Sequence, residues 1–323
     1  MTPGRALERS SPPGRRDVSP RVSVIIAAYN DRERLHRCLL SLADQVGFSG
    51  MAELIVVDDG STDGTSEMVR RDHPGVRLVP GDNRGAEIAR NRGVDAAAGG
   101  IVAFIDSDCT AEPGWLERMV GRLSDNHRLA VGGPIVHRGT FWQRLTGIAD
   151  FGEYQGPKLR DVRALPTCNM GLWKEVFEAV RFDHRLRPNA DTLFCQELLR
   201  RGVTLRYDPE VAVSHHPGAG WADFMTRARR YGRSFVEARL LDPTLRWAAF
   251  VRAGFPGIVA ATVGRALLDW WRLLRHRRNA GFHLWEVPPA MACLLFRRVV
   301  ALPEAVKAYR RRQRRMSAIA IDR

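Results

Sequence analysis

The stretch Ile101-Val102-Ala103-Phe104-Ile105-Asp106-Ser107-Asp108 decides how this chain reads. Five apolar residues form a buried-looking strand, and two carboxylates two residues apart stand at its carboxyl end. Positions two apart on a strand share a face, so both acids can turn toward one point. Like charges placed together repel each other and a ligand's phosphates. A divalent cation with oxygen ligands, shared with a pyrophosphate, removes that repulsion. Taken alone, the two acids also fit the start of a loop, where Asp is common.

Upstream, strands and helices alternate. Val22 to Ala28 is a short β-branched run, and Asp31 to Leu42 carries Leu35, Cys38, Leu39 and Leu42 at helical spacing. Leu54 to Val57 is strand-like and ends at Asp58-Asp59-Gly60. Ser61 or Thr62 is expected to cap the next helix, Val76 to Val79 to form a strand, and Ala86 to Ala98 a helix closed by Gly99-Gly100. This alternation predicts a parallel, doubly wound sheet, whose ligands sit beyond the carboxyl ends of its strands. Both acidic pairs fall there. From Ala130 to Asp208 the pattern is mixed, as in an α+β half that builds an acceptor pocket.

The chain has 323 residues, enough for one large domain or two ordinary ones. Its five cysteines include no C-x-x-C pair, which argues against a disulfide framework or a zinc knuckle and for a reducing compartment. Residues 1–20, with arginines among Pro, Ser and Gly, are expected to be a disordered lead rather than a signal peptide. Charge is lopsided. Met1 to Thr226 holds 29 Lys and Arg against 30 Asp and Glu, whereas Arg227 onward holds 21 against 6. No groove-entering nucleic-acid motif accompanies the excess, so an anionic membrane surface is the expected partner. Two uncharged stretches, Ala253 to Gly264 and Val287 to Phe296, are shorter than the about 20 residues a spanning helix needs. Trp247, Trp270, Trp271, Trp285 and several arginines flank them, the pattern of an interfacial helix; a helical cap with a solvated basic face fits too.

Taken together, Val22-Ser23-Val24-Ile25-Ile26-Ala27-Ala28-Tyr29-Asn30, Ile55-Val56-Val57-Asp58-Asp59-Gly60-Ser61-Thr62-Asp63-Gly64-Thr65 and Phe104-Ile105-Asp106-Ser107-Asp108 resemble the nucleotide-sugar-binding half of family 2 glycosyltransferases. Asn83-Arg84-Gly85, Ala89-Arg90-Asn91-Arg92-Gly93 and Cys168-Asn169-Met170-Gly171-Leu172-Trp173-Lys174 continue the resemblance, which covers about residues 22 to 216. It implies an α/β GT-A fold, a Rossmann-like, mostly parallel sheet flanked by helices. The expected organisation is a catalytic domain over 21–225, divided into a nucleotide-sugar half (21–110) and an acceptor half (111–225). A basic, amphipathic, membrane-associating helical region follows over 226–323.

The resemblance also implies roles. Ala28 and Tyr29 would meet the donor, the Tyr29 ring stacking on the nucleobase. Asp59 would accept from the base's ring N–H, Arg90 would reach the base or phosphates, and Asp106 the ribose or sugar. Asp108 would bind Mn²⁺ or Mg²⁺, with His215 as the imidazole ligand; His216 beside it leaves that choice open. Asp191 would be the base of an inverting transfer, with Glu197 in reserve, although the family's Glu-Asp pair is Ala190-Asp191 here and the acid two positions later is Leu193. The expected reaction moves a sugar from a nucleotide-diphospho-sugar to a lipid-linked or cell-envelope acceptor. Its expected place is the cytoplasmic membrane face, held peripherally or monotopically. Two other readings are a non-catalytic, membrane-recruited nucleotide-sugar binder or scaffold and a sugar-nucleotide pyrophosphorylase, which would want a Gly-rich basic loop near Ala27 to Asn30.

Overall fold

The computed structural model describes residues 22–43, 45, 52–124, 126–184 and 190–321, with side chains described to 314. The lead at 1–20 and the segment 185–189, including Pro188 and Asn189, lie outside the described residues. The first half alternates as the sequence predicts: β1 (Val22–Ala28), α1 (Arg32–Ala43), β2 (Ala52–Asp58), α2 (Thr65–Asp72), β3 (Arg77–Pro80), α3 (Ala86–Ala96) and β4 (Ile101–Ile105). Strands β3, β2, β1 and β4 lie side by side and parallel.

The period of two along each strand divides the core into two layers. Val22, Val24 and Ile26 of β1 and Ile101, Ala103 and Ile105 of β4 pack with Leu35, Cys38, Leu39 and Leu42 of α1. Ile25, Val102 and Phe104 face the opposite layer with Ala89 and Val94 of α3. A strand buried on both faces has to be largely apolar, which is why β4 reads as an unbroken run and β1 is interrupted only by Ser23, whose buried hydroxyl donates to Glu53 Oε1 at 2.5 Å. Each such Val or Ile contributes about 1.5–3 kcal/mol. Helix α3 lies so close to the sheet that a Cβ on Gly93 would stand 2.4 Å from Ile25 Cγ2.

The second half adds β5 (Cys109–Ala111), α4 (Trp115–Leu123), β6 (Leu129–Gly132), β7 (Ile135–Val136), α5 (Phe141–Phe151), β8 (Arg160–Asp161), β9 (Asn169–Trp173), α6 (Ala190–Arg200), β10 (Thr204–Tyr207) and β11 (Val213–His215). The large sheet runs β3-β2-β1-β4-β9-β6-β10-β8, with β9 antiparallel to both β4 and β6. A small sheet, β5-β11-β7, stands beside it. Asn169, fully buried in β9, ties elements of the second half together: its Oδ1 accepts from Trp115 Nε1 at 2.9 Å and its Nδ2 donates to the Val211 carbonyl at 2.7 Å.

The sequence expectation fails at one cap. Helix α2 begins at Thr65 after Gly64, and neither Ser61 nor Thr62 caps it. Ser61 Oγ instead accepts from the Asn30 amide at 2.8 Å, and the Thr62 amide donates to Asn30 Oδ1 at 2.8 Å. Both residues are used to bind the β1 loop to the β2 loop, a contact across 31 and 32 positions that local spacing cannot reveal.

Beyond β11 the chain is helical: α7 (Trp221–Leu241), α8 (Ala248–Arg252), α9 (Phe255–His276) and α10 (Val287–Ile321). Helix α7 runs through position 225, so the acceptor half passes into the basic region within one continuous helix. A buried ion cluster docks these helices on α5. Asp150 accepts from Arg227 of α7 at 3.1 Å and from Arg297 of α10 at 2.5 Å. Burial opposes the Asp150 charge, but the two guanidiniums hold its pKa down at about 2. Asp150→Ala would leave two buried cations unpaired and is expected to cost about 3–5 kcal/mol, read as a lower urea midpoint of the full chain.

Candidate active site

The turn after β4 carries the site. The strand ends at Ile105, and the Cys109 amide closes a turn on the Asp106 carbonyl at 3.0 Å. Asp106 and Asp108 therefore stand on a turn rather than on one strand face, and they take different partners. Asp106 Oδ1 accepts from Arg90 Nη2 of α3 at 2.6 Å. Asp108 Oδ2 lies 3.2 Å from His215 Nε2. Ser107 between them donates to Asp31 Oδ2 at 2.5 Å, and Asp31 also accepts from Arg34 Nε at 2.5 Å. Burial raises the Asp31 pKa despite both bonds. The spacing of the acids gives no sign of this clasp.

His215 reaches Asp108 because β11 pairs antiparallel with β5, placing His215 opposite Cys109. Its Nδ1 is 2.7 Å from His137 Nε2, and His137 Nδ1 is 3.2 Å from the Ile135 carbonyl. A carbonyl only accepts, so His137 must donate from Nδ1. Burial then lowers the His137 pKa to about 3, leaving the ring neutral and its Nε2 an acceptor. His215 consequently donates from Nδ1 to His137, which leaves Nε2 as the ring nitrogen that faces Asp108. His215 is therefore the histidine whose free nitrogen meets Asp108, whereas His216 pairs with Thr110 Oγ1 at 3.0 Å.

Asp108, Cys109 and His215 bring one donor atom each within 4.8 Å of one another. Burial works against the Asp108 charge, but His215, Arg227 and Arg34 hold its carboxyl well below the usual range. Cys109 differs, since burial raises its pKa well above that of an ordinary thiol. A protonated thiol is a poor ligand, so the carboxylate oxygen and the imidazole nitrogen are the two atoms of this group that could hold a cation. The sequence reading missed His137, Asp31 and Ser107; the order His137 to His215 spans 78 positions and only the small sheet joins them.

The remaining residues divide. Tyr29 is 46% exposed at the end of β1, free to stack on a planar group. Ala28 is buried and its carbonyl accepts from the Asp59 amide at 2.8 Å. Both Asp59 oxygens are already engaged, accepting from the Arg84 and Gly85 amides at 2.8 and 2.5 Å, so Asp59 braces the loop before α3 and keeps only its second lone pairs for a ligand. Burial opposes the Arg90 charge, but Asp106 outweighs it and keeps the guanidinium's pKa raised. Asp191 lies in the first turn of α6, with Oδ1 accepting from the Thr192 amide at 2.8 Å. Burial, only partly offset by Arg90 and reinforced by Asp106 and Glu87, pushes its pKa up to about 6. Glu197 is committed elsewhere, to Arg201 at 2.8 Å and Arg200 at 3.5 Å.

An exposed ring, an Arg–Asp pair, an acid–imidazole pair and a carboxyl tuned near neutrality now lie at the carboxyl ends of parallel strands. The sequence pattern of glycosyl transferase family 2 matches residues 23–181, through the turn that carries Asp106 and Asp108. The chain belongs to glycosyl transferase family 2. It is an enzyme that transfers a sugar from a nucleotide-sugar donor. Among its relatives, glycosyltransferase AglE of Haloferax volcanii is 29% identical over 233 residues, 69% of this chain and 75% of that protein. The succinoglycan biosynthesis protein ExoO of Rhizobium meliloti is 32% identical over 222 residues, 62% of each chain. The fold is like that of the mannosyltransferase PcManGT of Pyrobaculum calidifontis, solved with GDP-Man and Mn²⁺: TM-score 0.61 at 22% identity, covering 90% of this chain and 88% of that one. The GT-A-like sheet expected from the sequence is present, in mixed form, together with the C-terminal helical region.

Because His137 acts only through His215, its removal separates positioning from ligation. His137→Leu is expected to weaken Mn²⁺ binding about 10–100-fold, measured by calorimetric titration of the full chain, with little change in its melting point.

Proposed function

We propose that this family 2 enzyme is a metal-dependent, inverting glycosyltransferase acting on a lipid-linked or cell-envelope acceptor at a membrane face. The Asp191 carboxyl, pushed to about 6 beside the Arg90–Asp106 pair, carries the reading. A general base works best when its pKa lies near the operating pH. Asp191 is ionised and able to accept a proton above that value, yet basic enough to take one from an acceptor hydroxyl. Asp108 and His215 would hold the cation, Mn²⁺ or Mg²⁺, and the neutral His137, by engaging His215 Nδ1, would leave Nε2 as the nitrogen offered to it. When bound, the metal would neutralise charge on the departing nucleoside diphosphate. PcManGT, solved with GDP-Man and Mn²⁺, supports a donor and cation of this class. Tyr29 would stack on the base, Arg90 would orient Asp106 toward the sugar, and Asp191 would deprotonate the acceptor as it attacks opposite the diphosphate.

With Asp191 as base, log kcat/KM should rise with slope one up to about pH 6 and then level. Asp191→Asn should remove that limb and lower kcat by about 10²–10⁴-fold while donor binding persists. Asp108→Ala should abolish metal-dependent turnover; unchanged metal dependence would refute the site.

The membrane face rests on the C-terminal helices. Val263, Leu267, Trp271 and Leu274 of α9 recur at helical spacing and are each more than half exposed, and Leu284 and Trp285 are 71% and 74% exposed. Arg275 lies 5.2 Å over the Trp271 ring, and Arg277 and Arg278 follow. Among the described residues no helix is long and apolar enough to cross a membrane, so the stripe would lie in the head-group plane. Sedimentation with anionic vesicles is expected to capture the chain at low salt and release it as salt rises. Trp271→Glu should weaken that capture, and failure to bind vesicles at any salt would remove the membrane from the reading.

A further inference from the structure

A cavity of about 720 Å³ lies outside the donor site, between α6 and the C-terminal helices. Ligand pockets span roughly 300–1,000 Å³. One wall adjoins the base. Thr192 of α6 lines the cavity, and the Thr192 amide is the group that binds Asp191 Oδ1 at 2.8 Å. Tyr154 and Tyr231 line it too. Burial and nearby carboxylates, Asp191 among them, raise the pKa of both phenols, so both stay protonated.

The charged groups that line its interior are spent on one another. Glu153 accepts from Arg272 at 3.0 Å, Asp269 from Arg298 at 2.6 Å, and Asp150 from Arg227 and Arg297. The Arg239 and Arg265 guanidiniums lie over the Phe235 ring, their Cζ carbons 3.7 and 3.8 Å from its centroid, with Glu153 acting on the first and Asp269 on the second. What stays unspent is neutral. The hydroxyls of Tyr231 and Thr192 make no hydrogen bond among the described residues, and neither is sealed off from open space. Gln196, one turn after Thr192 on α6, donates from Nε2 to the Arg163 carbonyl at 3.0 Å, which leaves its Oε1 as a third unpartnered group. Two hydroxyls and an amide oxygen supply both donors and acceptors. Tyr154 and Leu245, both buried, add apolar surface beside them.

We propose that this cavity receives the acceptor, and that the part it holds is a neutral sugar ring whose hydroxyls bond to Tyr231, Thr192 and Gln196. A pyranose carries hydroxyls that both donate and accept around a ring of apolar C–H groups, so it matches neutral polar groups set among apolar side chains. A charged ligand would compete with ion pairs already made. With the three groups fixed on α6 and α7, only the ring hydroxyl lying toward Asp191 is presented to the base. These side chains thereby decide which position is glycosylated. The name acceptor site rests on the transfer reading above; the saccharide site does not.

Saturation-transfer NMR of the full chain, without donor or metal, tests this with methyl glucoside, methyl galactoside, methyl mannoside and methyl N-acetylglucosaminide as probes and methyl phosphate as the charged competitor. At least one glycoside is expected to take up saturation through its ring protons. Tyr231→Phe and Thr192→Val each remove a single hydroxyl and should each weaken that glycoside about two- to tenfold, the worth of a neutral hydrogen bond. In a transfer assay the same variants should raise the acceptor KM by a similar factor, with nucleoside diphosphate binding unchanged. Since neither hydroxyl has a protein partner, both variants should melt no lower than the parent chain; a clear drop would mark a structural strut and count against the proposal. Absence of saturation from every glycoside, equal binding in both variants, or displacement of the glycoside by methyl phosphate would overturn it. So would displacement by manganese GDP or UDP, which would mark the donor's own pocket. If a glycoside binds as expected but no nucleotide sugar is turned over, the transfer reading fails while the saccharide site stands. If transfer proceeds with the acceptor KM unchanged in both variants, the site fails while the transfer reading stands.

Discussion

The antiparallel pairing of β11 with β5 is the constraint on which the site depends. It sets His215 opposite Cys109, and so one residue from Asp108, while the parallel β7 on the other side of β11 carries the chain to His137. Three residues that no local signal connects become a carboxylate, an imidazole that faces it and a neutral imidazole that orients that ring. The same register ties the His216 amide to the Asp108 carbonyl at 2.8 Å, so the turn after β4 is held from its far side as well. Ser107 and Asp31 hold it from the near side. A turn gripped at both ends keeps its two acids apart, which lets Asp106 pair with Arg90 while Asp108 faces His215.

Burial then divides labour among like groups. Asp108 and Asp191 are both buried acids, yet one is held ionised by His215, Arg227 and Arg34 while the other is pushed toward neutrality because Arg90 offsets burial only in part. The difference comes from where the cations stand and not from residue type. The C-terminal helices belong to this arrangement. Asp150 fastens α7 and α10 to α5, and Arg227, which it holds, also contributes to the field at Asp108. A loosening of the helical region would therefore reach Asp108 through a charge as well as through packing.

Much of the fold was legible in the chain, for a physical reason. Strands buried on both faces must be largely apolar, so β1, β2 and β4 stand out as runs, and the helices between them show their apolar faces at 3.6-residue spacing. Asp191 in the first turn of α6 and Asp108 after β4 could be placed from motif order. Less legible were functions that depend on a partner distant in sequence. Ser61 and Thr62 read as caps because their local signal is a cap signal, whereas Asn30, which claims them, is 31 and 32 positions away. Asp59 read as a base contact, yet both its oxygens brace the loop before α3. His137 gave no signal at all, since a single histidine in a mixed segment is ordinary.

By itself the sequence determined the order of strands and helices, the carboxyl-end placement of the acids, the family and the concentration of positive charge after Thr226. These follow from periodicity, motif order and composition, which are local properties of a chain. Only the tertiary structure decided which nitrogen of His215 faces Asp108, which acids Arg90 influences, and that Arg227 and Arg297 from two helices meet on Asp150. Each of those depends on desolvation and on charges brought together from remote positions, and neither exists until the chain is folded.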